Sequence, residues 1–91
     1  MLMLVTYDVN TSSPAGQKRL RKVAKLCERY GLRVQNSVFE LLVDPAQLAT
    51  LKSELAAIID HDHDSVRFYR LGNSYQTRID TMGRTGLVQT G

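Results

Sequence analysis

Hydrophobic residues follow two different periods along this chain. A nearly continuous apolar run from Leu2 to Val9 opens it, and both alternating faces of the run are mostly apolar. The faces are Leu2, Leu4, Thr6 and Asp8 on one side and Met3, Val5, Tyr7 and Val9 on the other. A strand that is apolar on both faces is typical of a position inside a sheet, so we predict a central strand here.

A helical pattern follows this strand. Ser12 or Ser13 is a suitable N-cap before Pro14, because a serine hydroxyl accepts a free amide and proline suits the first helical position. The apolar stripe at three- and four-residue spacing comprises Leu20, Val23, Ala24, Leu26, Cys27 and Tyr30. It predicts an amphipathic helix, which we expect Gly31 to end in the left-handed conformation.

The second half of the chain predicts a hairpin, a helix and further strands. Two extended stretches between Leu32 and Val43 favour the hairpin. The helix is predicted from the capping residues Asp44, Pro45 and Gln47 and from the stripe Leu48, Leu51, Leu55, Ile58 and Ile59. Strands are predicted at Val66–Leu71 and Gln76–Thr81.

This order of elements predicts the fold class. The pattern β-α-β-β-α-β with a short extra C-terminal strand is α+β and typical of a ferredoxin-like fold. We expect one domain over residues 1–82 and a flexible tail over 83–91. Both helices of such a fold lie on one side of the sheet, so a second copy is the simplest cover for the other side, which predicts a homodimer.

Composition limits the classes of function. With 91 residues, 43% hydrophobic and 23% charged, the chain is one small globular domain. It contains no apolar run long enough to cross a membrane, and its opening segment lacks the basic flank of a signal peptide. Cys27, the single cysteine, cannot form an internal disulfide. We therefore expect a cytoplasmic protein in which Cys27 is a small core residue.

Positive charge is concentrated in one segment. Seven cations and a single acid, Glu28, lie between Lys18 and Arg33, whereas the whole chain has a formal charge of +3. A cationic helix in an otherwise mildly acidic chain is typical of a protein that binds nucleic-acid phosphates. The alternative is a solvated helix face.

Asp8 is the most informative ionisable residue. A carboxylate at the end of an apolar strand is tolerated where it faces a cleft, a cap or a metal. Mg²⁺ takes one or two protein carboxylates together with water and phosphate oxygens, and a two-fold axis would supply the second carboxylate. The alternative is an Asx turn to Asn10 or Thr11.

Other candidate groups have simpler structural explanations. His61 and His63 lie among aspartates in a polar connection, where solvation is favoured over metal binding. Ser37 suits either a phosphate contact or a turn. The aromatic residues that alternate with cations, and could stack on bases or lie in the core, are Tyr7, Phe39, Phe68 and Tyr69.

Four segments together carry a family resemblance. They are Tyr7–Val9, the cationic Lys18–Val23, Gly31–Glu40 and Tyr69–Gly72. From about Leu2 to Ile79 the chain resembles the CRISPR-associated protein family two, the small subunit of the spacer-acquisition machinery. The segment Val34–Glu40 is similar to the subtype I-C branch of that family.

The resemblance implies a metal-dependent nuclease. In the family, a ferredoxin-like homodimer places Asp8 from each subunit beside a divalent cation, Mg²⁺ or Mn²⁺, and cleaves RNA or double-stranded DNA. Members also bridge two dimers of the CRISPR integrase. Asp8 would be the metal ligand, with Tyr7, Ser37 and Phe39 as its catalytic neighbours. Asn10 stands where some members have a second acid, which weakens the case for strong autonomous metal binding.

The resemblance also implies a phosphate-binding surface and a dimer contact. Arg19, Arg21 and Arg33 fall at basic positions of the family, and we extend this surface along the helix to Lys18, Lys22 and Lys25. The last strand, Gln76–Thr81, would pair with the sheet of the second copy. The dimer could act as a nuclease or as a non-catalytic adapter that holds the protospacer duplex. A small-molecule regulatory domain is a third possibility, but it leaves the cationic helix unexplained.

Overall fold

The computed structural model describes residues 1–72 and 79–83. Within them the chain forms an antiparallel sheet and two helices in the predicted order. The elements are β1 (Leu2–Asp8), α1 (Pro14–Cys27), β2 (Gly31–Gln35), β3 (Val38–Leu42), α2 (Pro45–Ile58) and β4 (Ser65–Gly72). The order across the sheet, β2-β3-β1-β4, confirms the ferredoxin-like fold and the central position of β1.

Two C-terminal predictions lie partly outside the described residues. Positions 76–78 of the predicted last strand are outside them, and positions 79–81 have no regular secondary structure. The predicted tail at 83–91 is outside them except for Gly83, so its flexibility stays a prediction. Neither of the helices in the described part of the chain is long and apolar enough to cross a membrane.

Side-chain capping explains where both helices begin. The Gly16 amide donates to Ser13 Oγ at 3.0 Å, so Ser13 rather than Ser12 is the N-cap of α1. At α2 the Gln47 amide donates to Asp44 Oδ1 at 2.7 Å, and the Asp44 amide donates back to Gln47 Oε1 at 2.9 Å. Both predicted starts are therefore confirmed, each with proline in the first turn.

The expected left-handed cap at Gly31 is wrong, and a close approach between strands explains this glycine instead. Helix α1 ends at Cys27, and Glu28 after it is right-handed, with φ −66°. Gly31 begins β2, where an added Cβ would lie 2.0 Å from the carbonyl oxygen of Glu40 on β3. Only a residue without a side chain allows the two strands to approach this closely.

The strand β1 divides the sheet into two unlike faces. Met3, Val5 and Tyr7 point towards both helices and lie in the core. We call the opposite side of the sheet the outer face, and on it lie Leu4, Thr6 and Asp8 of β1. The outer face also carries Leu32, Leu42 and Tyr69, which are 50%, 57% and 43% exposed. Such exposed apolar surface is consistent with the homodimer, which stays a prediction.

Candidate active site and nucleic-acid interface

Asp8 ends β1 on the outer face of the sheet. Its neighbour Tyr7 points towards the helices, so the Asp8 side chain points the other way, and Asp8 is exposed. The register places Asp8 opposite Ser65, the first residue of β4. Among residues 1–72 and 79–83 the Asp8 carboxylate takes part in no salt bridge. The Asx turn of the following loop is made by Asn10, whose Oδ1 accepts the Ser12 amide at 3.0 Å.

Two residues of β4 share the outer face with Asp8, and one of them, Arg67, lies outside the family motifs. Arg67 lies opposite Thr6 and Tyr69 lies opposite Leu4, so both side chains point to the outer face. The neighbouring Tyr69 phenol and, to a smaller extent, the charge of Asp8 raise the pKa of Arg67. The alternation within β4 shows that positions 67 and 69 share a face, but only the register with β1 shows that Asp8 shares it.

A buried ionic cluster lies on the helix side of the same strand end. Asp64, the residue before β4, accepts hydrogen bonds from the Tyr7 hydroxyl and from Arg19 Nε, the second at 2.9 Å. Arg19 Nη2 donates to Asp64 Oδ1 at 3.3 Å, and the Asp60 amide donates to Asp64 Oδ2 at 3.0 Å. The Asp64 side chain is 0% exposed and that of Arg19 is 22% exposed. The cluster thus joins β1, α1 and the start of β4.

The cluster shifts the pKa of both acidic groups in it. Burial alone would raise the pKa of Asp64, but hydrogen bonds from Arg19, Tyr7 and the Asp60 amide lower it below its ordinary value. Burial, reinforced by the hydrogen bond to Asp64, raises the pKa of Tyr7 to about 12. At neutral pH Asp64 is therefore ionised and the Tyr7 hydroxyl keeps its proton, as the hydrogen bond between them requires.

Two of the three predicted catalytic neighbours of Asp8 lie in the core, on the helix side of the sheet. The third, Ser37, contacts β1 through its backbone. Tyr7 is 2% exposed, with its hydroxyl bound to Asp64, and Phe39 is 0% exposed in the core. Ser37 lies in the turn between β2 and β3, where its carbonyl accepts the Tyr7 amide at 2.9 Å. These positions favour structural support of the Asp8 strand, and a direct catalytic role for the three residues stays a prediction.

The predicted phosphate-binding cations fall into two groups. Arg19 is bound to Asp64, and Arg33 donates from Nε and Nη2 to the Asn36 carbonyl at 2.9 and 2.7 Å. These two arginines therefore have intramolecular partners. The four that are exposed on α1 are Lys18, Arg21, Lys22 and Lys25. They lie on the side of α1 that faces away from the sheet, so they do not share the outer face with Asp8.

Asp8 carries the carboxylate at this end of the outer face, and Glu40 of β3, opposite Leu4, lies further along the same face. No cluster of three or more His, Cys, Asp or Glu side chains that could hold a metal occurs in the part of the chain that the structure describes. His61 Nε2 lies 2.8 Å from the Ala56 carbonyl and His63 Nδ1 lies 3.2 Å from Asp60 Oδ2. The exposed carboxylate of Asp8 suits Mg²⁺ or Mn²⁺, which bind few protein oxygens and keep several waters.

Comparison with known proteins agrees with this fold and these motifs. The family described as CRISPR associated protein Cas2 matches residues 1–79. The CRISPR-associated endonuclease Cas2 of Halalkalibacterium halodurans is 61% identical over 83 residues, which cover 91% of this chain and 86% of the relative. The CRISPR-associated endoribonuclease Cas2 3 of Rhodospirillum rubrum is 58% identical over 82 residues, which cover 90% of this chain and 86% of that relative. The crystal structure of Streptococcus pyogenes Cas2 at pH 6.5 has a TM-score of 0.86 and 60% identity, over 91% of this chain and 100% of that one.

Proposed function

This chain belongs to the CRISPR-associated protein Cas2 family, and we propose that it is a homodimeric, metal-dependent endonuclease of CRISPR adaptation that cleaves RNA or double-stranded DNA. Family membership confirms the resemblance found in the motifs. Three relatives above 55% identity are named endonuclease or endoribonuclease. The observation that carries the proposal is the exposed carboxylate of Asp8 at the end of β1, on the face of the sheet that the helices leave uncovered.

A second copy of the chain would complete the site. Asp8 would hold a Mg²⁺ or Mn²⁺ ion together with Asp8 of the partner subunit, since one carboxylate alone binds such an ion weakly. When bound, the cation supplies Lewis-acid stabilisation of the negative charge on the phosphate. The exposed Leu32 and Leu42 on the outer face support self-association there.

The nuclease is tested by replacing the carboxylate of Asp8. Purified wild type, Asp8→Asn and Asp62→Asn would be incubated with labelled RNA and duplex DNA in Mg²⁺, Mn²⁺ or EDTA. Asp62 is an exposed control on the connection before β4. We expect Asp8→Asn to lose metal-dependent cleavage while its melting temperature stays that of the wild type. Unchanged cleavage by this variant would refute the proposed activity.

A non-catalytic adapter is the second candidate function. In it the dimer bridges dimers of the CRISPR integrase and holds the protospacer duplex. The exposed cations that α1 directs away from Asp8 favour this role: Lys18, Arg21, Lys22 and Lys25. Replacing all four by glutamate would abolish spacer acquisition in cells, whereas Asp8→Asn would leave it intact. Normal acquisition after charge reversal would contradict the adapter, and failed acquisition in Asp8→Asn would favour the nuclease.

A further inference from the structure

Arg67 occupies the position on β4 that is diagonal to Asp8. The register pairs Asp8 with Ser65 and Thr6 with Arg67, and all four side chains lie on the outer face. Diagonal positions of an antiparallel pair are about 7 to 8 Å apart, which a long side chain can span. The Arg67 guanidinium is therefore within reach of whatever binds at Asp8.

The guanidinium of Arg67 is not committed to an acidic side chain of the described residues. The salt bridges found within residues 1–72 and 79–83 involve Arg19, Arg29 and His63, and Arg67 is exposed. Tyr69 lies two residues further along β4 on the same face, and its phenol, which raises the pKa of Arg67, can orient the guanidinium without neutralising it. An arginine in this state can offer two parallel N–H donors to a phosphate.

We propose that Arg67 binds a phosphodiester of the nucleic-acid strand at the Asp8 end of the outer face, and that Tyr69 orients its guanidinium. This inference rests on the proposed nuclease function, to which it adds a substrate contact. Phosphodiesters are common to RNA and DNA, so the chemistry of the contact is the same for both.

The proposal differs from a simpler role in which Arg67 only neutralises the charge of Asp8. In that role, Arg67→Lys would bind nucleic acid as the wild type does, because lysine keeps the charge that offsets Asp8. Arg67→Gln would strengthen Mn²⁺ binding, because Asp8 would no longer have a competing cation beside it. The two roles therefore predict different results for nucleic-acid affinity.

The test compares Arg67→Gln and Arg67→Lys with Arg70→Gln in the full chain. Arg70 is an exposed arginine on the same strand that lies opposite Met3 in the register, so it is a matched control on the other face. Affinity for fluorescein-labelled single-stranded RNA and duplex DNA of one sequence would be measured by anisotropy in EDTA over a range of salt. Mn²⁺ affinity would be measured separately by electron paramagnetic resonance.

We expect Arg67→Gln to weaken nucleic-acid binding about tenfold, as removal of a charge-assisted hydrogen bond predicts. The slope of log K against log salt should become shallower by roughly 0.7 to 0.9 for each phosphate that is no longer neutralised. The affinity of Arg67→Lys should lie between those of the wild type and Arg67→Gln, because lysine keeps the charge but cannot donate two parallel hydrogen bonds to a phosphate. Arg70→Gln should bind as the wild type does. A larger loss of affinity for RNA than for duplex DNA, or the reverse, would show which of the two nucleic acids Arg67 contacts.

Equal affinities of Arg67→Gln and Arg70→Gln would overturn the inference, as would stronger Mn²⁺ binding with unchanged nucleic-acid affinity. Sedimentation of each variant would check that self-association is unchanged. Tyr69→Phe removes the hydroxyl that orients the Arg67 guanidinium and leaves the charge of Arg67 in place. Because binding is measured without metal, the result is independent of cleavage. Failed cleavage by Asp8→Asn with normal binding by Arg67→Gln would leave the nuclease standing and refute only the phosphate contact. Persistent cleavage by Asp8→Asn would refute only the nuclease.

Discussion

Arg19 Nε lies 2.9 Å from Asp64 Oδ2, and this contact ties α1 to the residue before β4. The Tyr7 hydroxyl of β1 donates to the same carboxylate oxygen. The strand ends that carry Asp8 and Ser65 are thereby connected from the helix side, while Asp8 and Ser65 themselves stay exposed. An arginine that the motif assigns to phosphate binding therefore acts in this fold as an internal counter-ion.

Removing the buried carboxylate should strongly destabilise the fold. Asp64→Ala leaves Arg19 and the Tyr7 hydroxyl without their acceptor, which we expect to cost about 3 kcal/mol of the free energy of unfolding. Urea denaturation would measure the change. Asp62→Ala, which removes an exposed carboxylate two residues earlier, should change stability by less than about 0.5 kcal/mol. A cost of Asp64→Ala as small as that of its control would contradict the importance of the cluster.

Asp64 should also make stability depend on acid pH. Its pKa is lower in the folded chain than in the unfolded chain, where an aspartate has a pKa of about 3.9. The unfolded state therefore binds the proton more tightly, so the stabilisation is present above that pKa and is lost as pH falls through the folded value. Stability measured between pH 7 and pH 2 should fall less steeply in Asp64→Asn than in the wild type. Parallel curves would show that Asp64 is not the group responsible.

Ionisation of Tyr7 should be delayed to strongly alkaline pH. Its pKa is raised to about 12 in the folded chain, against about 10 for an unfolded tyrosine. The stabilisation linked to this shift is fully present below the unfolded pKa and is lost as pH rises through the folded one. The difference in tyrosinate absorbance between wild type and Tyr7→Phe should therefore appear only near the upper value. Its appearance near the unfolded pKa in folded protein would be inconsistent with the cluster.

The thiol of Cys27 should be unreactive in the native protein. Cys27 is 0% exposed, and burial raises the pKa of its thiol to about 12, so very little thiolate exists at mildly alkaline pH. We expect labelling by a disulfide reagent to be at least roughly a hundredfold slower in native protein than in guanidinium. Rapid labelling without denaturant would show that α1 opens readily.

The exposed cations of α1 should control the salt dependence of duplex binding. The triple variant Lys18→Gln, Lys22→Gln and Lys25→Gln should bind duplex DNA more weakly, with a slope of log K against log salt that falls by about 0.9 per phosphate no longer neutralised. The control is Lys52→Gln, which removes a lysine from α2 instead of α1. The Lys52 Nζ lies 5.1 Å from the centre of the Phe68 ring, so it is directed towards β4. Fluorescence anisotropy at several salt concentrations measures the affinity and the salt slope of each variant. An unchanged slope in the triple variant would remove α1 from the interface.

Local patterns predicted most of the fold because its elements are encoded by local chemistry. Ser13 and Asp44 cap their helices with their own side chains, and Pro14 and Pro45 suit the first turn. The error at Gly31 has a different origin. The contact that requires a glycine there is with Glu40 on the neighbouring strand, and the sequence next to Gly31 contains no sign of it.

The candidate site was predictable only in part for the same reason. Asp8 is conspicuous because a carboxylate ends an apolar strand, and its motif identifies the family. Asp64 looks like one of several aspartates in a polar connection, and nothing local shows that it meets Arg19, which lies 45 positions away. Arg67 joins Asp8 only through strand register, which neighbouring residues do not reveal.

The order of amino acids by itself determined the succession of strands and helices, their starting points, the family and the exposure of a carboxylate at the end of β1, since each follows from periodicity, capping or a contiguous motif. Tertiary structure decided which charges are free. It buried Asp64 against Arg19 and Tyr7 and set Arg67 diagonal to Asp8 on the outer face. The physical reason is that charges separated along the chain interact through space, at distances that only the packing of β1, β4 and α1 defines.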